Sequence, residues 1–168
     1  ETGQISFAST IGVDWDKYRK NTRIKVLEYI SPNYEFLGFN FNNELFSGDK
    51  GQAIRKAINY GLDRQAIIQK ASLGHGTQVD VPIHPCSYLI SPEANIYGYN
   101  VDMAKEILKE AGFTDMNDDG ILEDEEGNKL SFGLITNSYN VYRFKVADLV
   151  AEYLKKLGIE INLEFESD

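Results

Sequence analysis

Residues 115–126 read DMNDDGILEDEE, a twelve-residue run in which oxygen-bearing side chains recur at regular spacing. Aspartate or asparagine stands at every second position at its start, a glycine follows, and a glutamate closes it. This order matches the calcium-loop pattern D-x-[DN]-x-[DN]-G-x5-E at every fixed position. A bound calcium ion is therefore one interpretation of this run, and a calcium-dependent interaction domain is the alternative function. The predicted ligands are Asp115, Asn117, Asp119, Ile121 (through its carbonyl) and Glu126.

A plain acidic connector is the favoured interpretation of the same run. A helix–loop–helix calcium site needs a helix that leaves the loop near Glu126. The sequence continues instead as EEGNKLSF, where Gly127-Asn128 is typical of a hairpin turn and strand-forming residues follow. Glu126 would then lie near the turn tip, so Glu123 is the other carboxylate that could complete the site.

Other chemistry-bearing residue types are sparse. The single cysteine, Cys86, cannot form an intrachain disulfide, and the only histidines are His75 and His84. Zinc sites usually require several such ligands, so none is predicted. Acidic residues are plentiful, but no pair has a spacing diagnostic of a carboxylate hydrolase. The sequence therefore predicts a binding protein and not an enzyme, and no cofactor, with the calcium ion of the acidic run as the alternative.

Charge and composition restrict the partners. The chain has 168 residues, 42% of them hydrophobic, which is enough for one domain with a core. Its net charge of −9 argues against nucleic acid and against an anionic membrane surface, since both attract clustered lysine and arginine. No apolar run approaches membrane-spanning length, and no signal peptide is present. The chain begins at Glu1 without a methionine, so we expect an excerpt from a longer protein.

The apolar patterns predict an α/β fold with a mixed sheet and flanking helices. A strand–helix–strand order near the end predicts a right-handed parallel βαβ unit. A long loop is predicted over 73–93, where glycine, proline and serine recur. Strands are predicted at 4–9, 23–30, 34–41, 130–136 and 159–165, the 34–41 strand buried on both faces. Helical segments are predicted at 14–21, 48–72 with a break near Gly61, 100–113 and 141–158.

Caps and stripes support the predicted helices. Asp63 can cap the second part of 48–72, Asn100 can cap the next helix, and Gly112 suits its left-handed end. The buried face of 100–113 is predicted to comprise Met103, Ala104, Ile107, Leu108 and Ala111. The stripe of 141–158 comprises Val146, Leu149, Val150, Tyr153, Leu154 and Leu157, and it should pack on the alternating strand 159–165.

Several stretches together resemble the extracellular solute-binding proteins of oligopeptide ABC transporters. YEFLGFNFNNELFSGDKGQAIRKAINYGLDRQAI is similar to that family's strand-and-helix signature. YGYNVDMAKEILKEAGF resembles its next helix, with Asn100 in place of the usual aspartate. NDDGILEDEEGNKLSF resembles an aspartate-rich connector in the family, and VADLVAEYLKKLGIEINLEF resembles the helix and strand beyond it. The matching positions are Phe39-Asn40, Leu45-Phe46, Ile54-Arg55, Ala57-Ile58 and Leu62-Asp63-Arg64.

The resemblance implies a fold and a function. It implies that residues 1–168 are a single, monomeric domain, an excerpt of the C-terminal lobe of a two-lobed receptor with a type II periplasmic-binding-protein-like fold. The expected function is extracytoplasmic capture of an oligopeptide, by a cell-surface lipoprotein or periplasmic parent, for a membrane permease. It also implies that the acidic run is a connector. Relatives that bind nickel, haem or sugars are not distinguished by these motifs.

Candidate ligand-binding residues follow from the expected strand ends. Ligands of α/β proteins sit where strands end and helices begin. Asn40 and Asn42 lie at the end of the predicted 34–41 strand, and Asn137, Tyr139 and Asn140 lie where the 130–136 strand leads into its helix. Polar capping of turns and helices is the alternative role for each of these side chains.

Overall fold

A computed structural model describes residues 4, 6–9, 14–91 and 97–166 of the chain. Helices make up the first part of the chain, and two strands flank the last helix. No helix in these ranges is both long enough and apolar enough to cross a bilayer. The elements are α1 Trp15–Arg19, a 3-10 turn at Glu44–Phe46, α2 Gly48–Gly61, α3 Arg64–Ser72, α4 Val101–Glu110, β1 Ser131–Asn137, α5 Val141–Lys155 and β2 Glu160–Glu166.

Strands β1 and β2 form a parallel pair with α5 as the crossover. The register runs from Ser131 opposite Glu160 to Asn137 opposite Glu166. Both strands therefore end at the same edge, which is also where α5 begins. This parallel pairing confirms the predicted parallel βαβ unit. Parallel strands need a crossover of about a dozen residues or more, and α5 supplies it.

The helix boundaries follow the predicted caps. The Asp63 carboxylate accepts a hydrogen bond from the Ala66 N–H at 2.9 Å and starts α3. The Asn100 side chain accepts one from the Met103 N–H at 2.9 Å and starts α4. Gly112 ends that helix with φ of 90°, a left-handed conformation that costs glycine little. The local signals in the sequence were therefore sufficient to locate these ends.

The core lies between the sheet and the helices α2–α5. The stripe of α5 is buried as predicted, except that Val146 is only partly buried. Gly61 permits a close approach of α2 to Leu157 of this core, because a Cβ there would lie 2.3 Å from Leu157 Cδ1. Of the predicted buried face of α4, Ala104 and Leu108 are buried, Ile107 and Ala111 are partly buried, and Met103 is 40% exposed, so the prediction is wrong for Met103. The fully buried large side chains are Ile54, Ile58, Leu108, Leu130, Leu154, Leu157 and Ile159.

The predictions of strands at 23–30 and 34–41 are wrong. Neither segment is paired into a ladder in the described part of the chain, and Leu27 and Phe36 are 72% and 74% exposed. Residues 4 and 6–9 of the predicted first strand are likewise outside any strand, while residue 5 lies outside the described residues. Apolar alternation shows only that a segment can line a sheet; the strand also needs a neighbouring backbone to accept and donate its hydrogen bonds.

Replacement of Leu154 by alanine tests the packing of α5. Leu154 is fully buried, so Leu154→Ala should lower the free energy of unfolding by about 2–5 kcal/mol, through lost transfer energy and the cavity left behind. Val141→Ala on the same helix is the matched control, because Val141 is 81% exposed and should change it by about 0.5 kcal/mol or less. Urea denaturation measures both; equal midpoints for the two variants would contradict the packing.

Candidate functional site

The carboxyl edge of the β1–β2 pair brings three of the predicted ligand-binding residues together. Asn137 is the last residue of β1, and Tyr139 and Asn140 form the turn into α5. The Ser138 N–H donates to the Glu166 carbonyl at 3.0 Å, which ties this turn to the end of β2. The side chain of Tyr139 is exposed. The edge is thus a fixed backbone surface with one phenol projecting from it.

Asn137 differs from its neighbours in its hydrogen bonding. Its side-chain Oδ1 is inaccessible to solvent and has no hydrogen-bond partner among the described residues. A buried carbonyl oxygen without a donor costs free energy, so such atoms are rare in folded proteins. Asn137 therefore offers an acceptor that a donor from outside the described chain would satisfy.

Asn140 and Asn40 already use their side-chain oxygens within the chain. Asn140 Oδ1 accepts from the N–H groups of Tyr142 and Arg143, both at 3.1 Å, and so caps α5. Asn40 Oδ1 accepts from the Asn42 N–H at 3.0 Å in a local turn. In the structure, these two asparagines therefore cap a turn and a helix, as the alternative interpretation of the sequence expected.

An ion pair holds the 31–47 segment against the start of α5. The guanidinium of Arg143 donates to both carboxylate oxygens of Glu35, with Nε at 2.9 Å from Oε2 and Nη2 at 3.1 Å from Oε1. These hydrogen bonds raise the pKa of Arg143 above its ordinary value. The partners are 108 positions apart, so no local pattern in the sequence indicated the pair.

Aromatic side chains lie beside the same edge. Phe165 of β2 stacks on Phe144 of α5, with ring centroids 4.7 Å apart. Tyr34 and Phe36, on either side of Glu35, have ring centroids 5.5 Å apart and are both exposed. The edge therefore combines amide and phenol groups with flat apolar surface, the usual make-up of a small-molecule or peptide site.

The acidic run forms a hairpin-like connector and not a loop between two helices. Glu123 makes antiparallel bridges to Thr114 and Lys129. The chain reverses at Gly127, whose N–H donates to the Asp124 carbonyl at 3.0 Å. The hairpin considered in the sequence analysis is present, in the form of isolated bridges.

Three carboxylates converge inside this connector. Single oxygens of Asp115, Asp119 and Glu123 lie within 4.8 Å of one another. Glu126 lies outside this group, because it is part of the turn itself, next to Gly127, and its carboxylate accepts from the Asn128 amide at 3.3 Å. Of the two glutamates weighed from the sequence, the structure thus places Glu123 near the other predicted calcium ligands.

The converging carboxylates are engaged by groups of the connector itself. Asp115 accepts from the Gly120 N–H at 2.9 Å. The buried Glu123 accepts from the Met116 N–H at 2.9 Å and the Asn117 amide at 2.8 Å. Asn117 Oδ1 in turn accepts from the Asp119 N–H at 2.9 Å. These hydrogen bonds lie within the connector, so its own side chains stabilise its shape.

Lys129 supplies a positive charge to the same cluster. Its ammonium group is hydrogen-bonded to the Asp119 carboxylate, which lowers the pKa of Asp119 and raises that of Lys129. The other Asp119 oxygen accepts from the N–H of Ile121, the residue whose carbonyl is the fourth predicted calcium ligand, at 2.9 Å. A cation bound here would have to compete with this ammonium group.

Comparisons with a family model and with individual proteins both point to bacterial solute-binding proteins. The model described as "Bacterial extracellular solute-binding proteins, family 5 Middle" matches residues 1–168. The oligopeptide-binding protein AppA of Bacillus subtilis is 35% identical over 166 residues, which cover 98% of this chain and 30% of that protein. Heme-binding protein A of Haemophilus influenzae is 26% identical over 151 residues, or 89% of this chain and 25% of that protein. The chain thus spans less than a third of the length of either relative.

Solved structures give the same result. The structure of AppA in complex with a nonapeptide aligns with a TM-score of 0.80 and 34% identity, over 93% of this chain and 31% of that chain. The crystal structure of NikZ from Campylobacter jejuni in complex with Ni(L-His) also aligns with a TM-score of 0.80, at 24% identity, over 93% of this chain and 30% of that chain. The second likeness is one of fold alone.

Calcium titration of the acidic connector tests the sequence prediction of a metal site. Because the carboxylates accept hydrogen bonds from the connector and Asp119 is paired with Lys129, we expect no saturable heat in calorimetry with calcium at about 1 mM. Asp119→Ala is the control variant. Saturable heat in the wild type that Asp119→Ala abolishes would contradict this expectation and support the predicted calcium site.

Proposed function

Because the chain belongs to family 5 of the bacterial extracellular solute-binding proteins, we propose that it is part of a receptor that captures an oligopeptide outside the cytoplasm for the permease of an ABC importer. The chain has the α/β, type II periplasmic-binding-protein-like fold of its relatives. These relatives are solute-binding proteins, and we propose a binding role without catalysis for this chain as well. They give no support to a calcium-dependent interaction domain.

The observation that carries the proposal is the unpartnered Oδ1 of Asn137 at the carboxyl edge of β1. A bound peptide presents one N–H donor per residue, apart from proline, and such a donor would satisfy this buried oxygen once the Asn137 side chain turns toward the ligand. Backbone recognition of this kind binds peptides of varied sequence, since it reads no side chain. Asn137 is therefore the residue that we assign to the ligand backbone.

The surroundings of Asn137 suit a peptide better than a strongly charged ligand. Glu35 and Arg143 are paired with each other, so neither presents an unbalanced charge at this edge. Tyr139 and the exposed rings of Tyr34 and Phe36 offer flat surfaces for side chains of differing shape. We assign the peptide's side chains to these aromatic groups, with Asn40, Asn42 and Asn140 shaping the turns around them.

The proposal concerns one lobe of a longer receptor. The chain covers 30% of AppA, and we propose that residues 1–168 supply part of its C-terminal lobe. Ligand affinity in two-lobed receptors comes from closure of two surfaces that together exclude water. The same proposal places the receptor at the cell surface or in the periplasm, anchored as a lipoprotein where it is not periplasmic, and monomeric.

Peptide binding by one lobe and by two lobes tests the proposed function. We expect the 168-residue chain alone to show no saturable binding at about 1 mM of a mixed peptide library, because one surface buries too little of the ligand. A two-lobed protein that carries this sequence should bind at about 1 μM. Calorimetry and native mass spectrometry measure both.

Two results would contradict the proposal. Tight peptide binding by the 168-residue chain alone would show that the second surface is unnecessary. Catalytic turnover of a peptide by either protein would show an enzyme. Binding of a metal complex or a sugar, and of no peptide, by the two-lobed protein would keep the receptor class and overturn the peptide assignment.

Removal of the Asn137 amide tests the assigned contact. In the two-lobed protein, Asn137→Ala should weaken peptide affinity by about three- to tenfold, because one hydrogen bond to the ligand is lost. Asn162→Ala is the matched control, since Asn162 lies on β2 and donates to Ser131 at the far end of β1. Equal affinities of the two variants in calorimetry would remove Asn137 from the site.

A further inference from the structure

A cavity lies at the opposite end of α5 from the Asn137 edge. It has a volume of about 380 Å³ and lies between the ends of α4 and α5 and the acidic connector. Its base is apolar, formed by the buried Phe113 and Leu157 together with Leu122. Its remaining walls carry a concentration of lysines that contrasts with the chain's net charge of −9: Lys105, Lys109, Lys155 and Lys156.

Three of these lysines form no ion pair within the part of the chain that the structure describes. The ammonium groups of Lys105, Lys109 and Lys155 make no ion pair or side-chain hydrogen bond with any residue in the described part of the chain. Lys156 is shared, since it pairs with Glu152 at 3.4 Å and lies over the Tyr153 ring. Like charges one helical turn apart, as in Lys105 and Lys109, repel each other, so an anion between them would be stabilised.

Helix capping does not account for these lysines. Lysines near helix C-termini commonly donate to the last carbonyl groups of the helix. In α4 the carbonyls of residues 107–109 accept instead from the backbone N–H groups of residues 111–113. In α5 the carbonyls of residues 153–155 accept from the N–H groups of residues 156–159. Their ammonium groups therefore remain available to a ligand.

The acidic group in this cavity makes no ion pair with the lysines. Asp115 is the one carboxylate among the lining residues. One of its oxygens accepts from the Asp119 N–H at 3.2 Å and the other from the Gly120 N–H at 2.9 Å, so both point into the connector. Thr114, also in the lining, adds a hydroxyl donor on the cavity side of the connector.

We propose that the cavity bounded by Lys105, Lys109 and Lys155 binds the phosphate group of an anionic ligand. Lysine binds phosphate as a point charge, and three ammonium groups balance the two negative charges of a phosphate monoester with one to spare. The volume accommodates a phosphate and a small attached group. Such a group can belong to a soluble phosphate or to the headgroup of a lipid. This site is independent of the proposed peptide site.

Titration with inorganic phosphate and with vesicles tests the proposal. Calorimetry in low-salt chloride buffer uses inorganic phosphate as one probe, and co-sedimentation uses phosphatidylglycerol vesicles, with phosphatidylcholine vesicles as the neutral comparison. We expect saturable binding with a dissociation constant of about 1 mM or tighter, weakened about tenfold by Lys105→Gln together with Lys109→Gln, because two charged donors are lost. Lys145→Gln is the matched control, since Lys145 lies on α5 outside the cavity.

Each outcome decides the proposal. Binding of free phosphate that the double variant weakens and Lys145→Gln does not supports it. Binding of phosphatidylglycerol vesicles alone, with the same dependence on the two lysines, also supports it and assigns the phosphate to a lipid headgroup. Absence of binding to both probes overturns it, as does an equal loss in Lys145→Gln, which would show attraction to surface charge in general. Circular dichroism of the variants confirms that each is folded.

Discussion

The structure depends on the burial of one face of α5. Leu154 on this helix is fully buried, Leu157 in the turn after it is almost completely buried, and Ile159, the residue before β2, is fully buried with them. Because α5 also contacts α2, α3 and both strands, its position sets the position of the sheet relative to the helices. Gly61 is part of the same constraint, since any side chain there would collide with Leu157. The carboxyl edge of β1 lies at the start of α5, and the lysine cavity lies at its end.

The sequence predicted most of what local patterns determine. Helix ends were recoverable because Asp63 and Asn100 cap through hydrogen bonds that span only three residues. The parallel strand pair was recoverable because a buried helix of suitable length lies between two apolar runs. Family membership was recoverable because several such local patterns occur together in one order.

What the sequence did not predict depends on contacts between distant residues. The 23–30 and 34–41 segments have the composition of strands, yet pairing is decided by a neighbouring backbone that no local pattern encodes. The pair of Glu35 and Arg143, which fixes one of these segments, joins positions 108 residues apart. Glu123 took the place expected of Glu126 because the reversal at Gly127 turns the later carboxylate away from the cluster.

The two ends of α5 differ in the polar side-chain groups that lack a partner among the described residues, and the two proposed ligands differ accordingly. The helix has 15 residues, so its ends are about 22 Å apart. At its start, the N–H groups of Tyr142 and Arg143 are already bound by Asn140, which removes the donors that attract anions to a helix N-terminus. At that end, the side-chain oxygen without a hydrogen-bond partner among the described residues is the buried Oδ1 of Asn137.

At its other end, the carbonyls are satisfied by backbone N–H groups, and the open groups are the ammonium ions of lysines. The partial negative charge of a helix C-terminus stabilises these cations near one another and leaves their N–H donors free of hydrogen bonds. Backbone hydrogen bonding at each terminus thus decides which side-chain atoms stay free. An acceptor remains at one end of the helix and cations remain at the other.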